Sequence, residues 1–177
     1  MFRIRWCRIV RSQAVPHGTQ LPTEYLSPSR FPSISNRAEF LKIWILDVWA
    51  MHRDQRQAVF TEGSEAGSLK AYFIDHGFMF NPDGTTKESR FEAFYWEKSI
   101  YKDLWQTTLV ESWIAHFRQT LPKLLHSCLA EVPREWYAVE RDALEHQLLQ
   151  RLDKLSDLIE PYADKLRTLS TSNGRYP

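Results

Sequence analysis

The chain has 177 residues, of which 43% are hydrophobic and 14% aromatic, and its formal net charge at pH 7 is +1. This length and composition indicate one folded domain, or part of a larger one, and exclude a disordered chain. The balanced charge gives no basic field for nucleic acid, and no apolar run approaches the roughly 18 residues that a membrane span requires. Two cysteines without a shared motif, Cys7 and Cys128, indicate reduced thiols in a cytoplasmic protein.

The N-terminal part of the chain differs in composition from the rest. Four arginines alternate with apolar residues before position 12, a pattern that favours an edge strand or a tail over an Arg-rich organelle presequence. Four prolines between residues 12 and 35 predict extended or looped chain. We interpret residues 1–20 as a separate segment, residues 21–169 as the domain and residues 170–177 as a flexible tail.

A helix and a hairpin are predicted in the first half of the domain. The helix begins at Asn36, whose side chain can cap it, and Glu39 three residues later completes a capping-box pattern. The apolar face of this helix contains Phe40, Leu41, Trp44, Ile45 and Val48. Two strands are predicted from Gln57 to Thr61 and from Leu69 to Ile74, on either side of a Gly- and Ser-rich loop.

The second half of the domain is predicted to be helical. Amphipathic patterns predict helices from Leu104 to Arg118, from Lys123 to Ala130 and from Val139 to Ile159, with Pro161 ending or kinking the last one. The predicted fold class is therefore α+β, mostly α, with a small two-stranded β-hairpin that carries two acidic turns. Six tryptophans are interpreted as core or interface residues: Trp44, Trp49, Trp96, Trp105, Trp113 and Trp136.

The acidic residues that flank the hairpin are the candidates for chemistry. Asp54 lies just before the first strand, and Asp75 directly follows the second. Two carboxylates on neighbouring turns suit Mg²⁺, which usually takes one or two carboxylates together with substrate phosphates. Gln57 can offer an amide oxygen to the metal or hold the turn by hydrogen bonds. Two alternatives stay open: Asp54 as an ion-pair partner of Arg53 or Arg56, and Gln57 as a surface residue.

Three other polar residues are interpreted as structural. Asp47 lies within the predicted helix and is expected to act as a cap or to pair with an arginine. His52 and His76 do not have the spacing of a zinc motif, so hydrogen-bonded structural roles are favoured over metal binding or acid–base chemistry.

Taken together, these segments resemble the HipA-like kinase domain of bacterial proteins, a group related to the HipA toxin kinases and more distantly to the phosphatidylinositol kinase superfamily. The matching segments lie between residues 21 and 160 and correspond to the C-terminal lobe of such a domain. They are Asn36-x-x-x-Phe40, Asp47-Val-Trp49, Asp54-x-Arg-Gln57-Ala-Val-Phe60, Ile74-Asp75-His-Gly77-Phe78-x-Phe80 and Val132-Pro-x-Glu135-Trp136.

The resemblance implies a protein-kinase-like C-lobe with ATP and Mg²⁺ as cofactors. Asp54 corresponds to the catalytic acid, Gln57 to the neighbouring amide of the catalytic loop, and Asp75 to the Mg²⁺-binding acid of an Asp-Phe-Gly-like turn. Gln57 is also a candidate metal ligand. Two positions depart from the family pattern: His52 stands where the family usually has Asn, and Val59 stands where many kinases have a metal-binding Asn.

The nucleotide-gripping lobe of a kinase has no counterpart before Asp54. This stretch contains one glycine, Gly18, and one lysine, Lys42, whereas a kinase needs a phosphate-covering loop and a strand lysine. We therefore expect a truncated domain, inactive alone, whose partner is an N-lobe or a longer parent chain, with no nucleic acid and no membrane. The apolar residues that such a lobe would cover are expected to be exposed: Ile4 to Val10, Phe78, Met79 and Phe80.

Two other functions are compatible with the sequence. A helical protein-interaction module would retain the kinase scaffold without catalysis, and dependence on nucleotide or Mg²⁺ separates it from a kinase. A small metal-dependent phosphohydrolase would use Asp54 and Asp75, but no nucleophile is identifiable for it.

Overall fold

A computed structural model describes the chain over residues 22–77, 79–80, 93–136 and 140–171. Within these ranges the elements are α1 (Glu39–Trp49), β1 (Gln57–Glu62), β2 (Leu69–Ile74), α2 (Thr107–Glu131), α3 (Arg141–Asp153) and α4 (Leu155–Thr171). Short 3₁₀ helices occupy Pro28–Ser33, Lys98–Tyr101 and Arg134–Trp136. The predicted α+β, mostly helical fold with a two-stranded antiparallel hairpin is confirmed. The expectations for residues 1–20, Phe78, the Trp136 side chain and the tail from residue 172 lie outside the described residues.

Helix α1 is the centre of the core. Its apolar residues lie on nearly every side, so the helix must be covered on nearly every side. The hairpin covers one side: the Phe40 ring lies 4.8 Å from the Phe73 ring and 6.3 Å from the Phe60 ring, measured between centroids. Helices α3 and α4 pack against other sides. The fully buried apolar side chains of α1 are Phe40, Leu41, Trp44, Ile45 and Trp49.

The C-terminal end of α1 is held in two ways. The main chain turns at Met51, which has a left-handed φ of 56°, and the His52 N–H donates to the Asp47 carbonyl at 2.9 Å. This is the hydrogen bond of a Schellman motif, with a buried methionine where glycine is usual. From α3, the Arg151 guanidinium donates to the carbonyls of Val48 (2.6 Å) and Trp49 (2.9 Å). The segment after α1 therefore leaves the helix in a defined direction.

The predicted capping role of Asn36 is wrong. Helix α1 begins at Glu39, and its N-cap, Ala38, makes no side-chain hydrogen bond. The Asn36 amide instead extends the edge of β2: Oδ1 accepts from the Ala71 N–H and Nδ2 donates to the Ala71 carbonyl, both at 2.9 Å. Nδ2 also lies 2.8 Å from Glu39 Oε2. The motif that predicted a cap therefore joins the start of α1 to the hairpin.

Replacing Asn36 by alanine is expected to lower the free energy of unfolding by about 1–2 kcal/mol, because the N–H and carbonyl of Ala71 lose their partners. Urea denaturation measures the loss. Ser33→Ala is the control, since the Ser33 hydroxyl donates only to the carbonyl of Arg30 at an exposed turn. A loss no larger than that of the control would contradict this role of Asn36.

The predicted helix boundaries after residue 104 need two corrections. The segments predicted as separate helices around Pro122 form one helix, α2, because one buried stripe continues on both sides of the proline and its packing offsets the missing hydrogen bond. The long helix predicted to Ile159 is instead divided at Lys154, and Pro161 lies inside α4. At this division the Arg118 guanidinium satisfies carbonyls of the last turn of α3, at 3.4 Å from Leu152 and 2.8 Å from Asp153.

Several apolar residues do not lie where the sequence predicts. Met79 and Phe80 are buried rather than exposed, because the Phe80 N–H donates to the Ala50 carbonyl at 2.7 Å and its ring packs against Trp49. Trp96 is not a core residue: it is 43% exposed and stacks on the exposed Tyr25 at 5.5 Å. Trp44 and Trp49 are buried as predicted, and Trp105 and Trp113 pack against the core at partial burial.

No helix in the described part of the chain combines the length and apolar character needed to cross a bilayer.

Candidate functional site

The two acidic turns meet on the imidazole ring of His52. This side chain is fully buried at the end of the turn that follows α1. Its Nδ1 lies 2.9 Å from the carbonyl oxygen of Asp54, and its Nε2 lies 3.2 Å from the carbonyl oxygen of Asp75. One ring therefore links the main chains of the two turns, and the structural role predicted for His52 is confirmed.

A buried ion pair joins the same region to helix α1. The Arg56 guanidinium donates through Nε and Nη2 to both carboxylate oxygens of Asp47, with Nε 2.9 Å from Oδ2, and both side chains are fully buried. The predicted arginine partner of Asp47 is thus Arg56. Burial raises the pKa of the Asp47 carboxyl, against the attraction of the Arg56 charge. Because Arg56 is engaged by Asp47, the alternative of an ion pair between Arg56 and Asp54 is wrong.

The remaining donor group of Arg56 holds the turn after β2. Its Nη1 lies 3.0 Å from the carbonyl oxygen of Ile74, 3.3 Å from that of Asp75 and 3.0 Å from Nδ1 of His76. The carbonyl of Asp75 therefore lies within hydrogen-bonding distance of His52 and Arg56, the residues two before and two after Asp54. Residues on either side of Asp54 therefore hold the main chain of the turn that carries Asp75.

Asp75 has a left-handed main-chain conformation and an exposed side chain. Its φ is 54°, a region that Asp enters more readily than most residues because its short side chain can hydrogen-bond locally. Its carboxylate accepts from the Gly77 N–H and from Nε2 of Gln57, both at 3.3 Å. The register of the hairpin explains the second contact, because Gln57 is paired with Ile74, the residue before Asp75.

Asp54 is partly exposed, and its carboxylate accepts from the following N–H, that of Gln55, at 2.7 Å. This local hydrogen bond holds one carboxylate oxygen against its own turn. Of the predicted site residues, Gln57 and Asp75 are in direct side-chain contact, and Asp54 is joined to Asp75 through His52.

His76 is a partly buried, neutral member of the same cluster. Burial, followed by the nearby charge of Arg56, lowers the pKa of His76 from 6.5 to about 4. Its Nδ1 therefore accepts the hydrogen bond from Arg56 at neutral pH, and the structural role predicted for this histidine is confirmed. Among the described residues its buried Nε2 has no hydrogen-bond partner.

The lowered pKa of His76 predicts a loss of stability in acid. Between pH 6.5 and about pH 4 the unfolded chain binds a proton at this position and the folded chain does not, so the free energy of unfolding falls as the pH falls. Allowing for partial exposure, we expect a contribution of about 1–2 kcal/mol. In His76→Asn, which keeps an acceptor but does not titrate, urea denaturation at pH 7.5 and pH 4.5 should differ less than in the wild type. An equal difference in both proteins would contradict the prediction.

The oxygen-bearing side chains of the acidic turns are those of Asp54, Gln57 and Asp75, and the Gln57 amide directs its nitrogen, Nε2, at the Asp75 carboxylate. The Asp75 carboxylate, the Gln57 amide and the Asp54 carboxylate offer oxygen atoms, which are the ligands that Mg²⁺ prefers. In the described part of the chain, no three His, Cys, Asp or Glu residues gather in a group that could hold a metal.

Arg56 is the site residue that sequence reasoning missed. The signal lies in α1, where Asp47 is surrounded by apolar neighbours on a helix that is buried on nearly every side. A fully buried carboxylate requires a buried cation or a set of donors. The nearest arginines after the helix are Arg53 and Arg56, and Arg53 is exposed.

Comparison of the chain with models of known protein families, with curated proteins and with solved structures gives no match.

Proposed function

We propose that this chain is the C-terminal lobe of a HipA-like kinase domain and belongs to the phosphotransferase class. The observation that carries the proposal is the attachment of the Asp75 carbonyl to both His52 and Arg56, the residues that flank Asp54. Protein kinases place a His-Arg-Asp catalytic loop beside a metal-binding Asp-Phe-Gly turn. Here the turn that carries Asp54 and the turn Asp75-His76-Gly77 are proposed as the corresponding pair, with His52 at the position where the HipA-like family usually has Asn.

Each site residue has a role in the proposed reaction. Asp54 orients the acceptor hydroxyl and accepts its proton, a role that requires the partial exposure of its carboxylate. Asp75 and Gln57 would hold Mg²⁺ through carboxylate and amide oxygens. When bound with ATP, Mg²⁺ neutralises the charge of the phosphates. Positioning and electrostatic stabilisation account for nearly all catalysis of phosphoryl transfer, so these few groups form one half of a kinase site.

The other half must grip the nucleotide, and we infer that it comes from outside the described residues. Between residues 22 and 53 the one lysine, Lys42, lies in α1 rather than on a strand over the phosphates. Without such a lysine and a phosphate-covering loop, most of the positioning that phosphoryl transfer needs is missing. The 177-residue chain by itself is therefore expected to bind ATP·Mg²⁺ weakly and to show no phosphotransfer.

The test of the proposal is the location of a divalent cation on the chain. Titration with Mn²⁺ should broaden the amide resonances of Asp54, Gln57 and Asp75 before all others, because these residues would supply its ligands. Asp75→Asn should abolish this effect, since it removes the charged ligand. Asp103→Asn is a matched control: Asp103 is also an exposed acid with a left-handed φ, of 61°, and it lies on a different turn.

Broadening that is absent or scattered over the surface carboxylates would contradict the kinase proposal. The helical protein-interaction module would then be favoured, and one observation supports it. Tyr25 and Trp96 form an exposed aromatic stack, with 66% and 43% of their surfaces accessible, and exposed aromatic residues are enriched at protein interfaces.

A further inference from the structure

Arg56 contacts the main chain on both sides of the Asp75 α-carbon. The Ile74 carbonyl belongs to the peptide plane that precedes this α-carbon, and the Asp75 carbonyl belongs to the plane that follows it. Both lie within hydrogen-bonding distance of Nη1 of Arg56, at 3.0 Å and 3.3 Å, and Nδ1 of His76 lies 3.0 Å from the same nitrogen. Nη1 has two N–H groups for these three acceptors, so the longer contact, with the Asp75 carbonyl, shares an N–H with one of the others. Holding both planes holds φ and ψ of Asp75, since these two angles are the only soft ones between the planes.

The contacts of Arg56 fall on a main-chain conformation that is uncommon. A left-handed φ is rare for residues other than glycine, although Asp reaches it more readily than most because its short side chain can hydrogen-bond locally. The same two angles set the direction in which the carboxylate leaves the main chain, toward the Gln57 amide and the Gly77 N–H. Arg56 in turn is immobile, because its other nitrogen donors are engaged by Asp47 on the central helix.

We infer that Arg56, anchored by Asp47, is a positioning residue that aims the Asp75 carboxylate at a divalent cation. This inference rests on the proposed function for the identity of the ligand. Arg56 does not touch the cation: it acts through the peptide planes of Ile74 and Asp75. The Arg–Asp pair thereby connects the core of the domain to the ligand that holds the metal.

Arg56→Lys tests the inference, because a lysine keeps the charge but cannot reach both peptide planes and Asp47 at once. The Mn²⁺ affinity of the full chain, measured by electron paramagnetic resonance, should fall about tenfold or more, the usual effect of losing a group that orients a ligand. The amide resonance of Gly77 and the side-chain amide resonances of Gln57 should also move without metal, since both groups donate to the Asp75 carboxylate.

Arg37→Lys is the matched control. The Arg37 guanidinium also holds two main-chain carbonyls from partial burial, those of Ile100 and Lys102. This variant should lose stability while the resonances of Gly77 and Gln57 and the Mn²⁺ affinity stay at their wild-type values. Should Arg56→Lys not fold, the double variant Asp47→Leu/Arg56→Met supports the same comparison, because it removes the anchor and the positioning group together.

The two proposals fail in different ways. A wild-type chain without localised Mn²⁺ binding would contradict the proposed function, while the metal-free resonances of Gly77 and Gln57 would still decide whether Arg56 positions Asp75. An Arg56→Lys variant that folds, with both resonances and the Mn²⁺ affinity unchanged, would overturn the positioning role.

Discussion

Replacing Asp47 by leucine is expected to lower the free energy of unfolding by about 3–5 kcal/mol, because the Arg56 guanidinium then stays buried without a counter-charge. Both side chains have no solvent exposure in the folded chain. Attraction at short range offsets the desolvation of the two charges only while both are present. Urea denaturation followed by tryptophan fluorescence measures the loss, since Trp44 and Trp49 are buried on the same helix.

Two further variants make this prediction specific to a buried pair. The double variant Asp47→Leu/Arg56→Met should recover a large part of the lost stability, because apolar side chains of similar volume often replace a buried ion pair at little cost. Asp164→Ala breaks an exposed pair, in which Asp164 lies 2.9 Å from Arg167, and should cost less than about 1 kcal/mol. Equal losses for Asp47→Leu and Asp164→Ala would show that the buried pair has no special role.

His52→Phe is expected to lower the free energy of unfolding by about 2–3 kcal/mol. Phenylalanine keeps a ring of similar size in the fully buried position but has no N–H, whereas the imidazole of His52 can donate to the carbonyl of Asp54 or of Asp75. Thermal or urea unfolding measures the change, with His126→Phe as the control. His126 is exposed and bonds to Glu145 on the surface, so its loss should be small. A His52→Phe chain as stable as the wild type would mean that the ring only fills space.

The hairpin and the central helix could be predicted because their signals are local. The strand β2 has the predicted limits, Leu69 to Ile74, and β1 extends one residue beyond the prediction, to Glu62. Both strands have apolar runs bounded by turn residues, and a Gly- and Ser-rich loop between them leaves an antiparallel pair as the simple arrangement. In α1 the apolar spacing identifies the helix, although not its first residue.

The errors in the fold come from partners that are distant in sequence. Asn36 has the local pattern of a cap, but the Ala71 main chain, 35 residues away, competes for the same amide. Pro122 and Pro161 carry local signals to end a helix, and long buried stripes override them in α2 and α4. The division between α3 and α4 depends on Arg118, a residue of another helix.

The candidate site could be predicted only as a set of acids. Asp54 and Asp75 are conspicuous because each flanks a strand, and the hairpin brings the ends of its strands together. The groups that join the two turns are main-chain carbonyls, and a carbonyl has no residue type that a sequence pattern can reveal. The contacts of His52 and Arg56 with the Asp75 carbonyl therefore could not be predicted from the sequence.

The contacts between α3 and the C-terminal end of α1 have a consequence for folding during synthesis on the ribosome. The carbonyls of Val48 and Trp49 take their donor from Arg151, which is 103 and 102 positions later, and the Trp49 indole donates to the Leu148 carbonyl at 2.9 Å. Because a chain emerges from its N-terminus, all the acids of the two turns leave the exit tunnel long before α3 does. A nascent chain that ends before residue 141 contains His52, Asp54 and Asp75. It lacks α3, the helix whose contacts hold the end of α1 just before these residues. The segment that carries the two acidic turns therefore reaches its full set of contacts only after α3 has been synthesised.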